Sequence, residues 1–284
     1  MLFRSSNIIG KKKYLLDYYI IDRSNYYKIK QIFNNNDYWI IKPGHGLRQQ
    51  DIIITNTYKI FENHMINIGD KYNNWIIQKY ITNPLLINNK KCHLRVYCFV
   101  KRHNNLFESY LYKKGYIYVA DKEYINKNFK NPEIHLTSSC NNLEFPKMFD
   151  KYFGFKTFKN KIYPQLKEII RDTIKVSYKD FNCPNNKIDD YTCYKFIGYD
   201  IILDNKFNAY LMEANSRVIG MASTDAPGNC KSINPSLQTP KFKKDLMYDM
   251  MNIILNINTN DNSNFDLIFK KNIKILENFN NKSY

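Results

Sequence analysis

Residues 194–217 read YKFIGYDIILDNKFNAYLMEANSR. Two apolar runs flank the polar turn Asp204-Asn205-Lys206, the pattern of a β-hairpin. Asp200 sits inside the first run and Glu213 inside the second. Side chains alternate along a strand, so Gly198, Asp200 and Ile202 share one face, and Leu211, Glu213 and Asn215 share one face of the next. With the turn centred between Lys206 and Phe207, Asp200 falls opposite Glu213, with Cβ atoms roughly 5 Å apart. Two ionised carboxylates that close repel, and in a low dielectric one is driven to protonate. A divalent cation removes the conflict. Mg2+ takes a few carboxylate and amide oxygens and completes its shell with water and phosphate oxygens, and Asn215 adds an oxygen on the same face. On spacing alone, a hairpin carrying its carboxylates at a solvated edge accounts for the pair equally well.

The chain around this hairpin has 284 residues, 44% of them hydrophobic, enough for one large or two modest cores. Its formal net charge of +17 predicts attraction to acidic partners, although an abundance of Ile, Asn, Lys and Tyr also points to compositional bias. Six cysteines form no C-x-x-C pair, so reduced thiols are expected rather than a zinc knuckle or a disulfide scaffold. No apolar run reaches the roughly 18 residues of a membrane span, and the opening MLFRSSNIIGKKKYLL lacks the order of a signal peptide. The expectation is a soluble, cytoplasmic protein.

Along the chain the pattern is strands mixed with a few helices, which predicts an α+β or mixed α/β fold. A short helix is expected around Asn25–Phe33 and another from Thr57 to Ile68. YWIIKP, DIIIT and NWIIQKYI read as strands. HLRVYCFVKRHNNLFESYLYKKGYIYVA reads as a longer antiparallel run, with HNN and KKG as turns. Residues 121–160 read as loop-rich. PQLKEIIRDTIKVSY, opening at Pro164, is an amphipathic helix with Leu166, Ile169, Ile170 and Ile174 on one side. A further helix opens at Pro240, and the tail after Asn258 is polar, with some helix expected.

Other segments carry basic or polar residues inside β-patterned sequence. Lys42 stands at a strand end before a loop with Gly44 and Gly46, whose free amides suit phosphate. Gln78 and Lys79 lie within WIIQKYI, and Lys91, His93 and Arg95 share one face of KKCHLRVYCFV. An arginine among apolar neighbours calls for an anionic partner.

The order K-P-G-loop, W-I-I-Q-K-Y-I, P-L-L-I-x-x-x-K-x-x-x-R-V-Y, Y-L-Y-K-x-G, H-L-T, G-Y-D-x-x-L-D and L-x-E-x-N resembles the tubulin tyrosine ligase family, with its polyglutamylases and polyglycylases, from about Trp39 to Asn215. The resemblance implies an ATP-grasp fold in which a nucleotide lies between two β-sheet subdomains. Lys42 comes early, so a fold truncated at its N-terminus is expected. The implied layout is an N-terminal segment (1–37), a small subdomain with phosphate loop and hinge (38–80), a large catalytic subdomain (81–258) and a polar tail (259–284).

The resemblance also assigns residues. Asp200, Glu213 and Asn215 match positions that hold one or two Mg2+ ions at the ATP phosphates. Lys42 matches a lysine that reaches phosphate, and Arg48 the arginine of the loop covering it. Gln78, Lys79, Tyr80 and Ile81 match the segment bordering the adenine. Lys91 and Arg95 match basic residues near the phosphates and the acyl-phosphate, with His93 between them, and Thr137 and Ser138 match a pair beside the nucleotide. Lys42 and Arg95 are the expected catalytic residues.

The implied chemistry is ATP-dependent joining of a free amino acid (glutamate, glycine or tyrosine) to a carboxylate of an acidic protein tail such as that of tubulin. Four departures stand out: the loop reads Arg48-Gln49-Gln50-Asp51-Ile52 without the family's glycines; His93 replaces a carboxylate; Tyr118 replaces an arginine expected to grip the incoming amino acid; and SRVIGMASTDAP follows Asn215 in place of N-x-x-P-S. Tyr118 and Arg217 are therefore candidates for an altered amino-acid pocket. A catalytically impaired ATP-binding module that binds tubulin or another acidic protein is the alternative. Nucleic-acid binding gives no reason for the acidic trio, and nothing points to a membrane.

Overall fold

The computed structural model describes residues 12–44, 50–126, 128–181, 192–215, 240–257 and 263–272. Two antiparallel sheets with flanking helices make the fold mixed α/β, as expected.

The first sheet has the order β1-β4-β2-β3, from β1 (Tyr18–Ile21), β2 (Trp39–Pro43), β3 (Ile53–Thr55) and β4 (Trp75–Lys79). Trp39, Ile41, Trp75 and Ile77 alternate onto one face. They pack there against Phe61 and Met65 of α1 (Tyr58–Ile68) and against Ile29, Ile32 and Phe33 of a 3-10 helix, Tyr26–Asn35. The expected helix at Asn25–Phe33 takes that tighter form and closes at Asn36, which adopts the left-handed conformation an asparagine tolerates. The opposite face carries Ile40, Lys42, Ile76 and Gln78, with Ile40 opposite Gln78 and Lys42 opposite Ile76.

The second, seven-stranded sheet runs β10-β9-β6-β7-β11, with β5 on β6 and β8 on β7. Its strands are β5 (Leu86–Ile87), β6 (Lys90–His103), β7 (Leu106–Ala120), β8 (Thr137–Phe145), β9 (Thr192–Leu203), β10 (Ala209–Asn215) and β11 (Phe265–Asn272). Leu94, Val96, Ile117, Tyr199 and Ile201 form one face. They meet Leu166, Ile169, Ile170 and Ile174 of α4 (Tyr163–Ser177), the apolar stripe that the spacing predicts. The other face is aromatic where Tyr97, Tyr112 and Tyr116 lie under Phe242 and Leu246 of α5 (Pro240–Ile254).

Four expectations give way. KKG is no turn: β7 runs unbroken from Leu106 to Ala120. Gly115 is required instead by close approach, since a Cβ there would lie 2.4 Å from the Arg95 carbonyl oxygen and 2.3 Å from the Phe145 ring. Residues 121–160 are not simply loop, for they hold α2 (Pro132–His135), β8 and α3 (Lys147–Phe153). In the tail, where residues 263–272 are described, Phe265–Asn272 form the strand β11, which was not expected; the rest of the tail lies outside the described residues. β8 pairs only with Gly115–Ala120 of the long β7, and β11 supplies the partners that Leu106–Tyr112 would otherwise lack on that edge. Finally, Cys193 is disulfide-bonded whereas Cys92 and Cys98 are free and buried; bridging depends on spatial approach, which sequence spacing does not report.

Residues 14–21 tie the two sheets together. Leu15 bridges in parallel to Leu211 of β10, whose N–H donates to the Tyr14 carbonyl at 3.0 Å. The Lys79 N–H then donates to the Asp17 carbonyl at 2.8 Å, and β1 continues along β4.

Candidate active site

β6, β9 and β10 lie side by side, and their register sets Arg95 opposite Asp200 and Asp200 opposite Glu213. One feature of this pairing is invisible to simple alternation. Leu211 pairs with Ile201 and Glu213 with Asp200, so Met212 is an extra residue, a β-bulge. Leu211 therefore turns into the core while Glu213 turns to the face of Asp200, and the two do not share a face as strict alternation predicts.

Arg95 grips Asp200 with two hydrogen bonds, Nη2 to Oδ2 at 2.8 Å and Nε to Oδ1. His93 Nε2 stands 3.4 Å from Oδ1. Burial pushes the Asp200 carboxyl up, but His93 and Arg95 together hold it well below the usual carboxylate range. Glu213 has no such guanidinium. Burial and the Asp200 charge raise it, against weaker opposition from Asn215 and Lys42. The Asn215 amide lies between the two carboxylates, Nδ2 donating to Glu213 Oε1 at 2.6 Å and approaching Asp200 Oδ2 at 3.4 Å.

Lys42 reaches in from the first sheet. Its Nζ donates to Gln78 Oε1 at 3.1 Å, and Gln78 Nε2 faces the Leu211 carbonyl at 3.4 Å, so this pair links the sheets. Burial pushes Lys42 down and the charges of Glu213 and Asp200 pull it back. Lys91 is buried beside Tyr80, donating to its hydroxyl at 3.0 Å and to the His135 carbonyl at 2.9 Å. His93 Nδ1 bonds the Thr137 hydroxyl, and the Tyr118 ring stands edge-on to His93 with the Arg95 guanidinium 5.4 Å from its centre.

Of the predicted residues, Lys42, Gln78, Asp200, Glu213, Asn215, His93, Arg95, Thr137 and Tyr118 thus meet in one polar region, with Lys91 and Tyr80 beside it. Lys79 instead pairs with Asp37 at 2.8 Å, and Lys79, Tyr80 and Ile81 line a cavity of about 370 Å³ completed by Tyr38, Asp204 and Tyr210. Ser138 lies in β8 opposite Val119. Arg48 and Arg217 lie outside the described residues. Sequence reasoning missed His135, although H-L-T stood in the quoted pattern, because a histidine at the end of a four-residue helix gives no periodic signal.

The donor set suits a small, hard cation that leans on phosphate. Among the described residues no three His, Cys, Asp or Glu side chains form a metal cluster of their own. Two carboxylates and an amide are present, as Mg2+ requires when substrate oxygens complete its shell. Asp200, Glu213 and Asn215 are the residues that would hold such a cation, and at present the Asn215 amide N–H bridges the two carboxylates. His93 Nε2 is buried and meets Asp200 Oδ1 only at 3.4 Å, outside hydrogen-bond geometry.

Paired carboxylates, a lysine and an arginine thus form one charged cluster where two antiparallel sheets meet. A sequence profile described as the Tubulin-tyrosine ligase family matches residues 4–217. The chain belongs to the tubulin-tyrosine ligase family. It is similar to tubulin glycylase 3C of Tetrahymena thermophila, with 28% identity over 67% of this chain and 19% of that protein. It is also similar to a probable tubulin polyglutamylase of Homo sapiens, 26% identical over 68% of this chain and 33% of the relative. A probable alpha-tubulin polyglutamylase of Tetrahymena thermophila is 26% identical over 64% of this chain and 48% of its own length. The chain spans less than half the length of each of these relatives.

Proposed function

We propose that this chain is an ATP- and Mg2+-dependent carboxylate–amine ligase of ATP-grasp architecture, adding glutamate, glycine or tyrosine to an acidic protein tail such as that of tubulin. The observation that carries the reading is the Asp200–Glu213 pair, set side by side and faced by Lys42 and Arg95. Asp200, Glu213 and Asn215 would hold Mg2+, which supplies neutralisation of charge on the phosphates. Lys42, Lys91 and Arg95 bind and orient the anionic groups, and the hinge cavity at Lys79–Ile81 has the size of a small-ligand pocket and suits the base.

The acceptor carboxylate takes the terminal phosphoryl group of ATP, releasing ADP. The donor amine then attacks the carbonyl carbon, an amide forms, and phosphate leaves with a proton lost from nitrogen. Such a reaction asks the protein for alignment and charge stabilisation rather than a nucleophile. The names of the relatives support a tubulin-directed activity. Among the described residues no helix is long and apolar enough to cross a membrane.

The second reading, an ATP-binding module without turnover, draws on Tyr118, which stands against His93 and Arg95 where the family pattern has a free arginine. Incorporation of each labelled amino acid into a glutamate-rich tail peptide, with ATP and Mg2+ against ATP and EDTA, tests both. Mg2+-dependent incorporation is expected. Nucleotide binding with no incorporation of any of the three would transfer the assignment to the second reading.

A further inference from the structure

Lys91, Tyr80, His135 and Asn128 form a hydrogen-bonded chain whose directions are fixed throughout. His135 Nε2 lies 2.9 Å from the Asn128 carbonyl oxygen, which can only accept, so Nε2 carries the proton. Burial pushes the imidazole down to about 4, so the ring is neutral and Nδ1 is an acceptor. Tyr80 stands 3.0 Å from Nδ1 and must donate to it. Its oxygen then accepts from Lys91 Nζ at 3.0 Å, while a second Lys91 N–H goes to the His135 carbonyl at 2.9 Å. Tyr80 also offers its ring face to Nζ at 4.3 Å. An ammonium has three donors, and the described residues take two.

We propose that His135 is a positioning residue for the nucleotide: through the Tyr80 hydroxyl and its own carbonyl it aims the remaining Lys91 N–H at a phosphate oxygen. The inference rests on the nucleotide-binding reading above and adds to it a residue that touches no ligand.

A linked proton follows. The groups acting on Lys91 are Tyr80, with Tyr124 beside it, neutral His135, the Cys92 thiol and the Lys42 cation. Among the described residues no carboxylate is one of them. Burial pushes Lys91 down to about 7, the Cys92 sulfur opposes this weakly, and Lys42 adds to it. An arriving phosphate favours the ammonium. Free protein therefore loses the charge above pH 7 while the complex keeps it, so affinity falls as pH rises from 7 to 9, with proton uptake on binding.

The test is calorimetry of MgATP binding across pH 6.5–8.5, in two buffers of different ionisation heat, on wild type and three variants. Tyr80→Phe removes the hydroxyl with little change of shape. His135→Leu removes the acceptor, and His135→Asn keeps an acceptor near the Nδ1 position. Tyr80→Phe and His135→Leu should bind about five- to tenfold more weakly at pH 7.5, the loss expected for one charge-assisted contact misaligned. Their pH midpoint should move down, and His135→Asn should recover most of both. Wild-type affinity and pH profile in Tyr80→Phe and His135→Leu would overturn the proposal, as would a uniform loss with the midpoint unmoved. A 13Cε NMR titration of Lys91 reads the chain without ligand. A midpoint that drops in Tyr80→Phe, in a protein that binds no MgATP, would sink the nucleotide reading and the role toward it while leaving the hydrogen-bonded chain intact.

Discussion

Glu213 shows how a buried carboxylate beside another can cost stability. It is driven up by burial and by Asp200, and Asp200 already has Arg95 as its partner. Glu213→Gln removes the repulsion while keeping the shape and a hydrogen-bond acceptor. The variant should melt at an equal or higher temperature than wild type, yet bind MgATP at least about tenfold more weakly, some 1.4 kcal/mol. Thermal unfolding and calorimetry with and without EDTA measure the two effects separately. A variant that loses stability and keeps its Mg2+-dependent affinity would show that the carboxylate serves the fold. Asp200 does lie beside Glu213, but not by the expected register: Leu203 pairs with Ala209 and Ile202 with Tyr210, one residue out of step with a turn centred between Lys206 and Phe207, and the bulge at Met212 restores the pairing. The turning of Leu211 away from Glu213 was not legible in the sequence, because a bulge costs one residue and leaves no mark in the hydrophobic pattern.

At the scale of the element, misreading came from glycine and from edges. Gly115 looks like a turn residue by type, and only the neighbouring strand shows why it stands mid-strand: Arg95 carbonyl and Phe145 ring occupy the space a side chain would need. Gly115→Ala should therefore destabilise by about 1–3 kcal/mol, the cost of overpacking a filled core. A urea titration by circular dichroism gives the number, and a midpoint within error of wild type would mean the β6–β7 pair yields without strain. β11 escaped notice for a complementary reason. Its place is set by an unpaired stretch of β7 more than 100 residues earlier in sequence, a fact about partners that local composition cannot carry. α4, by contrast, was legible in full, since Leu166, Ile169, Ile170 and Ile174 declare the buried face by spacing alone.

At the scale of the molecule, the backbone joins the sheets at two places among the described residues, beside the Gln78 contact to Leu211: the chain passing through Tyr80 to Leu85, and residues 14–21 running from the edge of β10 to the edge of β4. Tyr14 anchors the second. It is buried in the core of the larger sheet and its hydroxyl donates to Asp172 at 3.1 Å. Both tryptophans, Trp39 and Trp75, lie in the core of the smaller sheet, so their fluorescence reports that sheet while circular dichroism reports the whole. Tyr14→Ala should cost about 3–5 kcal/mol, as for other large-to-small changes at buried aromatic sites. If the strap makes the sheets one cooperative unit, the fluorescence and dichroism midpoints fall together in urea. A fluorescence midpoint that stays while the dichroism midpoint falls would show two sheets unfolding independently.

The surplus charge acts at longer range. Lysine and arginine number 43 against 26 aspartate and glutamate, so the +17 is an excess that no internal pairing can cancel. Exposed pairs such as Lys13 with Glu168 contribute little to the fold, which leaves the excess as an attractive field toward an acidic chain. Fields of this kind are screened over about 10 Å at 0.1 M salt. Binding of a glutamate-rich tail peptide, followed by fluorescence anisotropy, should weaken by about tenfold or more between 50 and 300 mM salt. MgATP, for which the proposed partners Lys42, Lys91 and Arg95 are largely buried, should respond less. The same peptide with every glutamate changed to glutamine should bind far more weakly at low salt. Equal binding of the two peptides, or affinity for the acidic one that salt does not move, would show that the acceptor is held by shape rather than charge.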